Sequence, residues 1–442
     1  MLSDPTKHDE PIGARLEEGR LRLVALIDRL GDLLGEHAAP LLEAASRQLH
    51  QRCCRIAVIG QIKAGKSTFI NALAERPGFL PADINPWTAV VTALHFRNSP
   101  TPPEHAAVFH LFSADQWKEL AEGGGRLREL TERLVPGFQP DLLRAQLEVM
   151  RKRAERRLGS KFAELLGQTH HFKTVTPELL SDYVSAGDDK APSGSTAPRK
   201  IYSDVTRSAD LYFNASPFAY PITLIDTPGT NDPFLVRDEI TRRSLENPDV
   251  YVFVISALQP LSAADIYMLR LLNGLHKDRI VVFINRADQL ANPGTDAALI
   301  KAAVEKRLRL EFPALDIPVV CGSAWLGSLR LQSDRGDFHA GLKPAQLKVL
   351  RQAGLPASVD TAARQLSNVD RSRLAAAMHM GSGMPEVASA INKLMGTSSI
   401  AMLLRQIAVC LAELVRSADV TDRAELQSIQ ELLDVRRQES AS

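Results

Sequence analysis

The chain has 442 residues, room for about three domains at roughly 150 residues each. Lys plus Arg total 53 against 52 Asp plus Glu, a formal net charge of +1, which argues against a globally basic nucleic-acid binder and against an acidic tail protein. Hydrophobic residues make up 45% and aromatic residues only 5%, so Leu, Ala, Ile and Val must supply most of a folded core, a bias that suits helices. The four cysteines, Cys53, Cys54, Cys321 and Cys410, show neither metal-ligand spacing nor a disulfide framework, and a reducing compartment is expected. The first ten residues are polar, and the apolar run 400–415 is interrupted by Arg405 and Glu413. Neither a signal segment nor a span of the roughly 18 uninterrupted apolar residues of a membrane helix is expected.

Residues 14–50 read as helical, broken at Pro40, with Leu16, Leu23 and Leu30 every seven residues and Ile27 and Leu34 completing one apolar stripe. A β-rich run at 55–59 ends in glycine. Further strands are expected at 89–96, 209–213, 221–225, 250–255, 279–284 and 318–320. Helical patterns between them predict an α/β fold: a mostly parallel sheet flanked by helices. Residues 104–200 and 327–380 lack clear strand patterns and read as helical insertions. A closing helix is expected at 384–394, followed by a second stripe at Ile400, Leu403, Ile407, Leu411 and Leu414, close to a 3.5-residue period. Neither terminal stripe can bury itself alone, so both chain ends are expected to form a small helical bundle. The division is then 1–52, a nucleotide domain at 53–396, and 397–442.

The strongest motif is Gly60-Gln61-Ile62-Lys63-Ala64-Gly65-Lys66-Ser67, which fits G-x-x-x-x-G-K-[ST] between a strand and a helix starting near Thr68. Gly60 and Gly65 let the backbone curl so that its N–H groups, with the helix N-terminus, face phosphate oxygens. Lys66 neutralises β- and γ-phosphate charge, and the Ser67 hydroxyl suits Mg²⁺. Asp226-Thr227-Pro228-Gly229 closes the strand at 221–225: the aspartate can hold Mg²⁺ through water, and the Gly229 N–H can meet the γ-phosphate. Asn285-Arg286-Ala287-Asp288 follows the strand at 279–284. A carboxylate at Asp288 can accept from guanine N1 and N2, donors that adenine does not offer. Ser323-Ala324 follows the strand at 318–320 and brings a backbone N–H to the guanine carbonyl. Four motifs in this order at strand ends describe a site for GTP and GDP with Mg²⁺.

Two segments carry a family resemblance: Gly60-Gln-Ile-Lys-Ala-Gly-Lys-Ser-Thr-Phe-Ile-Asn-Ala-Leu73, and Leu80-Pro-Ala-Asp-Ile-Asn-Pro-Trp-Thr-Ala-Val-Val-Thr92. With the motifs downstream, the chain resembles dynamin-superfamily GTPases, bacterial dynamin-like proteins in particular, over about residues 50–100 and 200–330. The resemblance implies GTP hydrolysis, with Lys66, Thr88, Lys63 and Gln61 as the catalytic set and Ser67, Thr88 and Asp226 around the metal. It further implies self-association across the bound nucleotide and a helical bundle that relays the change. Three departures stand out. Thr230 occupies the position of the water-orienting glutamine of Ras-type enzymes, and no side-chain base is evident. Arg286 replaces the usual lysine of the guanine motif. Lys63 stands where many dynamins carry a cation-holding serine, so its ammonium either takes that cation's place or is a solvated surface charge.

Weaker signals stay open. The basic segment 141–166, with Arg144, Arg151, Lys152, Arg153, Arg156, Arg157 and Lys161, suits a solvated face, packing against protein, or an anionic membrane. Nucleic-acid binding is disfavoured because aromatic interleaving is absent. His50, His95, His170 and His171 lack ligand spacing, and Cys53-Cys54 read as packing. About 45 residues follow the nucleotide domain, enough for one or two helices; a dynamin-type tip would have to lie in the insertions or on a second dynamin-like protein, or be lost. Two functions compete: a dynamin-like GTPase coupling its cycle to assembly and membrane contact, and a GTP-gated switch that hydrolyses slowly and recognises a protein or RNA partner through 104–200. The expected location is the cytoplasm, with the inner face of a membrane as a peripheral station.

Overall fold

The computed structural model describes residues 10–34, 38–81, 90–99, 101, 103–116, 152, 154–156, 158–184, 202–227, 248–275, 277–334, 342–360 and 366–417. Its strands are β1 (Cys54–Gly60), β2 (Val91–Phe96), β3 (Ala107–Leu111), β4 (Thr169–Phe172), β5 (Thr206–Phe213), β6 (Ile222–Asp226), β7 (Val250–Ser256), β8 (Ile280–Asn285) and β9 (Val319–Cys321). They form one sheet in the order β4-β3-β5-β2-β6-β1-β7-β8-β9. From β6 to β9 every pairing is parallel. β2 pairs parallel with β5 but antiparallel with β6, and β3 is antiparallel to both β4 and β5. The central strands are continuous apolar runs because both faces are covered; Ile56, Val58 and Ile59 of β1 are fully buried.

The helices are α1 (Ala14–Leu34), α2 (Ala39–Gln51), α3 (Lys66–Leu73), α4 (Lys161–Leu165), α5 (Pro177–Tyr183), α6 (Ala263–Gly274), α7 (Pro293–Glu311), α8 (Ala324–Asp334), α9 (Pro344–Gln352), α10 (Asn368–Ser382), α11 (Met384–Met395) and α12 (Ser399–Ser417). On one face of the sheet, Phe69 and Ile70 of α3 and Val387 and Ile391 of α11 share a core with Ile56, Leu224 and Phe283. That core continues without a break into the chain ends: Leu26 and Leu30 of α1, Leu49 of α2, and Leu404 and Leu411 of α12 belong to it. The opposite face is covered by α6 and α7, whose Ile266, Leu269, Val304 and Leu308 pack with Phe253, Val282 and Ile284. Helices α8, α9 and α10 hold a smaller core of their own around Leu326, Leu350, Leu374 and Met378.

One expectation needs correction. The stretch 104–200 is not purely helical: it contributes β3 and β4, which extend the sheet beyond β5. β4 reads Thr-His-His-Phe and alternates exposed and half-buried positions. Four residues with one large apolar side chain give too short an alternation to register as a strand. The segment 327–380 is mostly helical where described, with turns at 353–360, although its first helix starts earlier, at Ala324. The basic segment 141–166 lies outside the described residues up to 151 and at 153 and 157.

No single helix among the described residues is long and apolar enough to cross a membrane; α11 and α12 up to Arg416 reach that length and apolarity only together, as a pair bent by 44°. Both are amphipathic, with Val387, Ile391, Leu404 and Leu411 turned into the core.

Candidate nucleotide-binding site

Four parallel strands, β1, β6, β8 and β9, end at the same edge of the sheet, and the motifs lie at or directly after their last residues. After β1 the chain must pass directly beside β7. Gly60 makes this possible with φ of 156°: a Cβ there would stand 2.1 Å from the Val254 carbonyl oxygen, a distance that only glycine avoids. Gly65, at φ of 92°, opens α3, and a Cβ on it would lie 2.3 Å from Asn285 Nδ2. Between them, Lys63 adopts φ of 66° with its side chain exposed at the loop surface. Ala64 is buried and Thr68 half-buried. The Lys66 ammonium donates to the carbonyl oxygens of Gly60 at 3.0 Å and Gln61 at 3.1 Å. It is thereby held over the concave side of the loop, at the head of a helix whose first N–H groups favour anions.

At the end of β6, Asp226 Oδ2 accepts from the Ser67 hydroxyl at 3.0 Å. Its Oδ1 is buried with no hydrogen-bond partner among the described residues. Burial pushes this carboxyl up to about 6, against the opposing pull of Lys66 and Ser67. A hydroxyl and a carboxylate with an unsatisfied oxygen are hard donors that fit Mg²⁺, and a buried carboxylate short of partners is costly without such a charge. The neighbouring Thr227 anchors the turn by donating its hydroxyl to Val58 O at 2.8 Å. Thr88 and Gly229, both expected at the γ-phosphate, lie outside the described residues.

The guanine motif is tied to the phosphate loop by Asn285, at the end of β8. Its Nδ2 donates to Ala64 O at 2.9 Å, while its Oδ1 accepts from the backbone N–H of Arg286 at 2.8 Å and of Ala324 at 3.0 Å. One side chain thus joins three of the four motifs. Arg286 takes a left-handed conformation, φ 68°, and starts the single 3₁₀ turn that carries Asp288. Asp288 is buried, with Oδ1 accepting from the Ser323 hydroxyl at 2.6 Å. Ser323 is itself fully buried and donates its N–H to Ser382 O at 3.0 Å, which fixes the loop after β9 against the end of α10. Asp288, Ser323 and Ala324 therefore converge, as base recognition requires.

Two residues beyond these motifs touch the loop. Gln61 donates its side-chain amide to the hydroxyl of Ser262, the N-cap of α6, and Ser262 forms a capping box with Asp265. The S-x-x-D spacing preceding an apolar run is the signal by which that cap is readable in sequence.

A profile of the dynamin family matches residues 56–287, and one of the elongation factor Tu GTP-binding domain matches residues 205–395. A bacterial dynamin-like protein of Nostoc punctiforme is 50% identical over 66 residues, 15% of this chain and 9% of that protein. Dynamin-like protein 1 of Campylobacter jejuni is 22% identical over 306 residues, 68% of this chain and 35% of that one. The chain thus spans about a third or less of the curated relatives it matches. Among solved structures, a chain of an oligomerised bacterial dynamin pair, described as sensing and tethering membranes, superposes with a TM-score of 0.57 at 17% identity, covering all of this chain and 60% of that one. That likeness concerns the fold. With the dynamin profile spanning more than half of the residues, and the phosphate and guanine motifs meeting at one sheet edge, the chain belongs to the dynamin family.

Proposed function

We propose that the chain hydrolyses GTP to GDP and phosphate and couples that cycle to self-association and to contact with a membrane surface. The observation that carries the reading is Asn285, which hydrogen-bonds the phosphate loop to the guanine loops and makes the two halves of a guanine-nucleotide site one unit. In the proposed reaction, water attacks the γ-phosphorus in line and the β–γ bridging oxygen leaves. Charge accumulating on that oxygen meets the Lys66 ammonium and the N–H groups opening α3. Mg²⁺, held by Ser67 and Asp226 and by Thr88 as the family resemblance implies, would offset charge on the β- and γ-phosphates. Lys63, exposed on the loop, is proposed to place its ammonium near the same bridging oxygen. Replacing Lys63 with Ala is expected to lower turnover at saturating GTP about tenfold with GTP still bound; unchanged turnover would return it to a solvated surface charge.

Membrane contact is supported by the family and by the membrane-tethering dynamin pair, whose fold this chain shares. Family membership favours this reading over a partner-gated switch. The nucleotide domain is assigned to 53–396 and the relay to the terminal helices. Phosphate release from GTP and from ATP, with Mg²⁺ and with EDTA, tests the chemistry: GTP-selective, EDTA-sensitive release is expected, and its absence refutes hydrolysis. Co-sedimentation with anionic liposomes and a size measurement, each with GDP and with a GTP transition-state mimic, tests the coupling. A monomer indifferent to both would remove that part.

A further inference from the structure

The capping box at the head of α6 does more than end a helix. Ser262 Oγ accepts from Asp265 N at 3.3 Å, and Asp265 Oδ2 accepts from Ser262 N at 2.9 Å, which satisfies the exposed N–H groups of the first turn. For capping alone the carboxylate could sit in solvent. Instead Asp265 is 1% exposed, and its Oδ1 is buried with no hydrogen-bond partner among the described residues. Burying a carboxylate oxygen this way is unfavourable unless a donor faces it. The donor group at hand is the side-chain amide of Gln61, from the phosphate loop 201 positions earlier. It donates to the Ser262 hydroxyl and faces the Asp265 carboxyl. Burial pushes that carboxyl up, and the Gln61 amide is the largest pull in the other direction. The turn delivering Ser262 is also forced: Leu261 sits at φ of 51°, a conformation that a branched side chain adopts at a cost.

What this grip holds is the Gln61 peptide. Its carbonyl oxygen is one of the two acceptors of the Lys66 ammonium, at 3.1 Å. We propose that Ser262 and Asp265 are positioning residues of the phosphate site: they clamp the Gln61 amide, and so fix the carbonyl that aims Lys66 at the β- and γ-phosphates of a nucleoside triphosphate. The proposal rests on the GTP reading of the site. It gives Gln61 a role through Lys66 rather than on the reacting atoms, and it ties the loop to a helix on the opposite side of the sheet from α3.

The test measures affinity for a non-hydrolysable GTP analogue, turnover of GTP, and melting temperature. The variants are Gln61→Ala, Ser262→Ala, Ser262→Thr, Asp265→Asn and the Gln61→Ala/Ser262→Ala pair. Each alanine variant is expected to weaken analogue binding about fivefold, the factor one neutral hydrogen bond is worth. The pair should be no weaker than either single, since both remove the same contact. Ser262→Thr restores wild-type affinity. Asp265→Asn weakens it like the alanines, although the amide oxygen can still cap the helix. The proposal is overturned if Ser262→Ala lowers only the melting temperature, or if the pair multiplies to about 25-fold. Gln61→Ala, which leaves α6 intact, decides the matter should Ser262→Ala fail to fold. A wild-type chain that binds the analogue without turning GTP over would refute hydrolysis while leaving the clamp to be judged on affinity.

Discussion

The proposed selection of guanine rests on one buried acceptor, Asp288. Its carboxylate is buried beside a buried serine that occupies Oδ1 at 2.6 Å, so a base must present donors to what remains. Guanine presents N1–H and the 2-amino group; xanthine carries a carbonyl at that carbon. Replacing Asp288 with Asn turns one acceptor into a donor, and the expected result is a loss of GTP affinity by about 10- to 100-fold with a gain for xanthosine triphosphate, measured by competition against a fluorescent guanine nucleotide. Equal losses for both nucleotides would place Asp288 in loop structure instead. Residues of this sort were legible in the sequence because each motif is chain-local: a glycine loop after a strand, an aspartate at a strand end. What could not be read were the bonds between motifs. Asn285 reaches Ala64 across 221 positions and Gln61 reaches Ser262 across 201, and no periodicity records which loop tips meet.

Strands and helices were legible in proportion to the apolar surface they bury. β7 and β8 announce themselves as nearly continuous apolar runs and β1 as one from Ile56 onward, whereas β4 at the sheet edge, Thr-His-His-Phe with no buried residue, does not; β3 beside it buries four of its five residues but is short and interrupted by His110. Their edge is held partly by polar contacts that a hydrophobic pattern misses. His95 on β2 and His110 on β3 place their Nε2 atoms 2.8 and 3.2 Å from the two carboxylate oxygens of Asp210 on β5, and His95 Nδ1 meets Thr223 on β6 at 3.0 Å. One hydrogen-bonded row thus crosses four strands. Burial alone would raise the Asp210 carboxyl, but the bonds from His110 and His95 outweigh it and hold it well below the usual carboxylate range. A lowered native pKa contributes stability above the unfolded value, near 4, and that contribution is lost as pH falls further. Asp210→Asn should therefore cost about 1.5–3 kcal/mol at neutral pH, the range for hydrogen bonds to a charged group. The gap to wild type should close below about pH 4. Chemical denaturation across that range would show it, and a gap independent of pH would mean that the carboxylate charge contributes nothing.

The chain ends raise the question of whether the molecule melts as one body or two. The heptad stripes predicted that the terminal helices pack together, but they carried no information on what lies beneath. Leu30 of α1 and Leu411 of α12 belong to the same continuous core as Ile56, Leu224 and Val387, so the bundle and the sheet share apolar surface rather than meeting at a polar seam. A second tie is polar. Buried Asp249, just before β7, accepts from the Ser399 hydroxyl at the start of α12 through Oδ1 and from Arg55 N at 3.0 Å through Oδ2; its backbone carbonyl takes Arg279 Nε at 2.7 Å. Asp249 thereby ties the start of α12 to the base of β1, β7 and β8, the strands whose far ends carry Gly60, Ser256 and Asn285. Cooperative unfolding follows from such a shared core. Leu411→Ala leaves a cavity under a fully buried position, and truncations of this kind cost about 2–5 kcal/mol. Calorimetry should show a single transition shifted to lower temperature, with the nucleotide domain and the bundle unfolding together. If instead a small early transition separates from an unchanged main one, the terminal helices are an independent unit, and any relay from the nucleotide site must run through α11 and Asp249 rather than through the core.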